Sequence, residues 1–136
     1  MSNKTKKATL ADFISKATDK EDKIETKEVR VISIDKTIII RNLSQDKLME
    51  LIDKVGDKGT DMEQGDKLNG YICYECVTEP NLKEELKDAE IQKQLGASSP
   101  VDAVSKMLNF KERAEITKAI MEFSDLNADT IEVLKN

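Results

Sequence analysis

At 136 residues the chain carries one domain's worth of sequence, and its 38% hydrophobic content supports a single modest core. Trp is absent and aromatic residues make up 4%, so the core must come from Ile, Leu, Val, Met and Ala, and a nucleic-acid strand would find few stacking platforms. The formal net charge of -5 excludes nucleic acid as the expected partner on the same grounds, because phosphate binding draws its affinity from Lys and Arg.

The first segment, 1–23, is charged and rich in small residues, with one amphipathic patch at Leu10, Phe13 and Ile14; it reads as a flexible arm carrying a short helix. It has no apolar signal core, and no apolar run in the chain approaches the roughly 20 residues of a bilayer span. The expectation is a soluble protein that stays where it is made, with no membrane partner.

A single globular domain is expected over 24–126. It opens with a β-hairpin over 28–41, in which Val29, Val31, Ile32 and Ile34 form a β-branched run, Asp35-Lys36 turns the chain and Thr37-Ile38-Ile39-Ile40 resumes it. One face of such a hairpin must pack on helices to persist in water. Ser44 as N-cap, Asp46 in the first turn and Gly56 as stop frame a helix with Leu48, Met49, Leu51, Ile52 and Val55 on one broad side. The glycine-rich stretch from Gly56 to Gly70 begins as a loop, and a further helix carries Leu68, Tyr71, Ile72 and Val77 until Pro80 enforces an end near Glu79.

Leu82, Leu86, Ile91 and Leu95 support one short helix or two, closed by Gly96. Ser99, Pro100 and Asp102 start another, whose inner face is Val101, Val104 and Leu108. A last helix uses Phe110, Ala114, Ile116, Ile120 and Phe123, and these final two helices are expected to pack on the Tyr71–Val77 helix. Residues 127–136 read as a C-terminal tail with weak helical character. The fold class is α+β, mostly α: a small helical bundle with one N-terminal β-hairpin.

Little in the sequence points to chemistry. Histidine is absent, so the usual acid or base near neutral pH is missing. Cys73 and Cys76 are too few for a disulfide framework, which fits a reducing cytoplasm, and they fall inside a helix rather than at the strand-to-helix start that lowers a redox thiol's pKa. A tetrahedral metal would need further ligands from a partner copy or from acids such as Glu75 and Glu79. No phosphate-cradling glycine loop is present. The reading is therefore no catalytic residue, no metal site and no cofactor. Between Asp61 and Glu90 nine acids face only Lys67, Lys83 and Lys87, a section able to steer a basic partner.

The run Cys76-Val77-Thr78-Glu79-Pro80-Asn81-Leu82, then Glu90-Ile91 before Leu95-Gly96, then Pro100 with Val104, Met107 and Leu108, and the Phe110 to Leu126 helix resemble the XkdN-like phage tail assembly chaperones. The order upstream, a short helix, an extended pair ending Ile40-Arg41-Asn42-Leu43-Ser44 and a Leu48 to Val55 helix, is similar too, so the likeness spans roughly residues 8 to 126. It departs in the hairpin, where Asp35-Lys36 stands in place of a longer Gly-containing loop.

The resemblance implies a protein of the host bacterial cytoplasm that binds the apolar, helical tape measure protein, with the tail tube protein as a second candidate partner, and keeps the tape measure soluble until tube subunits polymerise around it. The assembled tail would lack it. Such genes often yield a frameshifted longer product, of which this chain would be the shorter form. Self-association stays open.

The surface lent to the partner is expected on the Leu48 to Val55 helix, through Leu48, Met49 and Ile52, or on the Phe110 to Phe123 helix, through Phe110, Ile116, Ile120 and Phe123. Two other classes remain: a small acidic adaptor or regulator unrelated to tails, and a redox or metal protein built on Cys73 and Cys76.

Overall fold

The structure, a computed structural model, describes residues 6–19, 23–126, 132 and 134. Helix α1 (Leu10–Asp19) forms where the apolar spacing predicts it, and its start is fixed by a reciprocal cap: the Thr9 N–H donates to the Asp12 carboxylate at 2.8 Å and the Asp12 N–H to the Thr9 hydroxyl at 3.2 Å. Of the tail expected over 127–136, only Glu132 and Leu134 lie among the described residues, and both are exposed.

Strands β1 (Thr26–Val31) and β2 (Lys36–Arg41) pair antiparallel with Val29 opposite Ile38 and Lys27 opposite Ile40. The turn differs from the expected Asp35-Lys36 pair. Ile32–Ile34 coil into a short 3-10 turn and Asp35 takes a left-handed backbone with φ 52°, which a short polar side chain tolerates. The β-branched run therefore stops being strand at Val31, and Ile32 and Ile34 project from the hairpin tip into solvent.

Helix α2 (Gln45–Val55) starts where the Ser44 hydroxyl accepts from the Lys47 N–H at 3.1 Å and ends at Gly56, whose φ of 74° suits glycine. Helix α3 (Asp61–Cys76) begins earlier than the glycines suggest. Thr60 and Glu63 form a capping box, each side chain bonded to the other's backbone N–H, and this local signal outweighs the propensity cost of Gly65 and Gly70 inside the helix. At its other end α3 stops at Cys76, three residues short of Glu79. Val77–Glu79 form β3, which pairs antiparallel with β2, and the Thr78 hydroxyl donates to the Ile39 carbonyl at 3.3 Å. A β-branched pair just before Pro80 favours extended backbone, but only the free edge of β2 supplies the hydrogen bonds that make a strand of it. The sheet order is thus β1-β2-β3, one strand more than expected.

The ambiguous middle resolves into two short helices, α4 (Leu82–Glu85) and α5 (Ala89–Leu95), capped by Asn81 and Asp88. Helix α6 (Pro100–Met107) has its cap at Ser99 and Pro100 in its first turn, and α7 (Phe110–Phe123) starts with a second capping box, Asn109 with Glu112. Helix α3 is the centre of the molecule, packed by α2, α6 and α7. One core joins sheet and helices, with Ile40, Leu51, Ile72, Val104 and Ile120 fully buried. The class is α+β, mostly α, as the patterning indicates.

Candidate partner-binding surface

Helix α2 shows two different sides. Leu51 and Val55 are buried and Leu48 is half-buried against the core, whereas Met49 is 54% and Ile52 41% exposed. Past Ile52 the surface opens into a groove of about 230 Å³ between the end of α2 and the start of α3, lined by Ile52, Val55, Gly65 and Leu68 together with Asp61 and Gln64. Gly65 keeps its floor low, since a Cβ there would enter open space. Met62, in the first turn of α3, is 71% exposed. An opening of this size accepts one or two large apolar side chains rather than a drug-sized ligand.

Helix α7 behaves otherwise. Ile116 and Ile120, named above as candidate partner contacts, are buried in the core, because α7 lies along α3 with those residues facing inward. They are thus unavailable to a partner in this fold. Phe123 is half-buried, and the Lys27 ammonium stands 5.9 Å from its ring centroid, near the limit of a cation–π contact. Phe110 alone of that set is well exposed. Near it the Ser33 hydroxyl donates to the Glu112 carboxylate, tying the hairpin tip with its exposed Ile32 and Ile34 to the first turn of α7.

The seam between α3 and α7 holds the least predictable group, a buried Arg113. Its guanidinium donates twice to the Asp66 carboxylate, each at 2.9 Å, and its Nη1 donates to the carbonyls of Ser105, at 3.1 Å, and Leu108. A bidentate pair that also satisfies the carbonyls at the end of α6 locks three helices in register. Nothing local in the sequence marks it, since Arg113 and Asp66 stand 47 positions apart; only an Arg on the inward face of α7 hints at a partner.

One thiol, Cys73, lies beside this seam, and the other, Cys76, lies one turn on, near Arg41 and Lys47. Cys73 and Cys76 are buried and unpaired with each other, and burial pushes both pKa values up to about 12, the reverse of a reactive thiol. Cys73 instead behaves as a small core residue whose sulfur donates to the Arg113 carbonyl at 3.7 Å.

The acidic middle section is less uniform than its composition. Asp66 is matched by Arg113, Glu75 by Lys83 at 2.9 Å and Lys47 at 3.8 Å, and Glu84 by Lys87 at 3.5 Å. Arg41, Lys47 and Lys83 surround Glu75 at the start of α2, where Lys47 also pairs with Glu50 at 2.8 Å.

The matched pattern runs almost from end to end: the family model of the phage XkdN-like tail assembly chaperone protein covers residues 10–135. The chain belongs to this family. No curated protein and no solved structure matches it. The family match reaches beyond the 8 to 126 span of the resembling motifs and takes in the segment after α7. A tail assembly chaperone acts by binding tail proteins, and the features of this chain that suit binding are the exposed flank of α2 and the groove beside it, with the Phe110 and hairpin-tip patch as the second apolar area.

Proposed function

We propose that this tail assembly chaperone binds an apolar helical segment of the tape measure protein in the groove between α2 and α3, holding it soluble until tube subunits polymerise around it. The observation that carries this reading is Ile52, a large apolar side chain partly in water on the wall of the opening, with the exposed Met49 one turn before it on α2 and the exposed Met62 in the first turn of α3. An amphipathic partner helix would cover them through residues spaced three and four apart. Because the groove is small, affinity rests on few side chains, which suits a client that the growing tube must later take over. The tube protein is the second partner in this scheme, the chaperone works in the host bacterial cytoplasm, and the finished tail does not contain it.

Co-expression with the tape measure protein of the same tail tests the reading. The unaltered chain should hold the tape measure in the soluble fraction, whereas Met49→Asp and Ile52→Asp should release it into the pellet while leaving the chaperone's circular dichroism unchanged. Phe110→Asp serves as the control at the other patch. If Phe110→Asp alone causes the loss, the partner site is the α7 start and the hairpin tip; if none of the three matters, client binding by these surfaces is wrong.

A further inference from the structure

The groove between α2 and α3 has apolar walls and charge of one sign. Of the residues that line it only Asp61 is ionisable; Lys54 and Lys58, though close in sequence, stand outside the lining. Asp61 is exposed and makes no ion pair or hydrogen bond with a described residue, in contrast with Asp66 further along α3, which Arg113 holds at 2.9 Å. Over residues 53–63, Asp53, Asp57, Asp61 and Glu63 outnumber Lys54 and Lys58.

The backbone adds charge of the same sign. The groove lies at the C-terminal end of α2, where unpaired carbonyls carry a partial negative charge. The Ile52 carbonyl accepts from the Gly56 N–H at 3.3 Å, whereas those of Asp53, Lys54 and Val55 accept from no described backbone N–H. Helix α3 starts on the facing wall, and its positive end is already answered by the Glu63 carboxylate, which accepts from the Thr60 N–H in the capping box. Asp61 is thus left over from the capping of α3, on the rim of an apolar opening.

We propose that the helix taken up here, granted that the groove holds an apolar helical client, is basic: a large apolar side chain enters between Ile52 and Leu68, and a Lys or Arg three or four positions away meets Asp61 and the end carbonyls of α2. Residues at that spacing share one face of a helix, so anchor and cation reach the groove together, and an acid in the cation's place meets like charge. Ile52 and Leu68 decide that an apolar helix binds; Asp61 decides which.

Two synthetic peptides of one amphipathic design, with Leu at spacings of three and four and either Lys or Glu beside them, test this by fluorescence anisotropy against the full chain. The Lys peptide should bind about tenfold more tightly than the Glu peptide at low ionic strength, and the ratio should shrink as salt rises. Asp61→Asn should cut the ratio to about threefold or less, and Asp61→Lys should turn the preference toward the Glu peptide, a gain that unfolding would not produce. Glu90→Gln removes the same charge from an exposed position on α5 and should leave the ratio unchanged, which separates recognition at the groove from general attraction to an acidic protein. Equal affinity for the two peptides, a Lys preference that survives Asp61→Lys, or one lost equally in Glu90→Gln would each overturn the proposal. Ile52→Asp should weaken both peptides. If it does and the ratio ignores Asp61, the groove still binds apolar helices and only the basic client is wrong; if it weakens neither, the groove itself is not the binding surface.

Discussion

Helices α2 and α7 read alike in the sequence, each an amphipathic segment with a broad apolar side, and the fold treats them in opposite ways. Helix α7 is enclosed: α3 covers its length, Arg113 ties it to α3 and to the end of α6, and the Ser124 hydroxyl accepts from the Leu43 N–H at 2.7 Å. Helix α2 is packed against α3 and the core on one side, and its Met49–Ile52 flank faces water. A wide apolar stripe thus becomes core only as far as neighbouring elements reach around it; what lies beyond their reach is surface, the area that the proposed function gives to a partner.

The contrast is sharpest where stability and partner binding should separate. Ile120→Ala, at a fully buried site on α7, should cost about 3 to 4 kcal/mol in urea unfolding, from lost burial plus the cavity left behind. Asp66→Ala should cost about 3 kcal/mol, because it leaves the Arg113 guanidinium buried without its carboxylate. An unchanged midpoint in either variant would mean that the α3–α7 seam is looser than its geometry.

The thiols extend the comparison to pH. Their folded pKa values, about 12, lie above a thiol's ordinary value of 9.0, so the unfolded chain releases these protons first and stability is lost as pH rises from about 9 toward 12. The slope should be about 1.4 kcal/mol per pH unit for each thiol within that window, and Cys73→Ala and Cys76→Ala should each flatten it in unfolding curves taken across pH 8 to 11. Equal slopes in the variants would show that other groups govern alkaline stability.

Smaller effects are expected toward α2. Thr60→Ala should cost about 1 kcal/mol through loss of the α3 capping box, and it should loosen one wall of the groove. Met49→Asp should change unfolding free energy by no more than about 0.5 kcal/mol while removing client solubilisation. A large destabilisation there would turn Met49 into a core residue and erase the contrast between the two helices.

Several features were legible one segment at a time. The caps at Ser44 and Ser99, Pro100 in its first turn, the stops at Gly56 and Gly96, the amphipathic α1 and the alternation in β2 are local signals whose physics acts within a few residues. The Thr60-to-Glu63 box was equally local, but the glycines around it masked the start of α3. The Cys76 to Leu82 motif, which lies within the family match, is likewise read within a few residues.

The chain by itself therefore determined its helices, its hairpin and its family, because caps, periodicity and motif act over short separations. Tertiary structure alone decided that Val77–Glu79 is a strand, since the partner edge at Ile39 and Ile40 is supplied from far along the chain. It likewise decided that Arg113 meets Asp66, and that Ile116 and Ile120 are core while Met49 and Ile52 are surface. An apolar side chain's fate depends on which distant element comes to cover it, and periodicity marks the face without naming the neighbour.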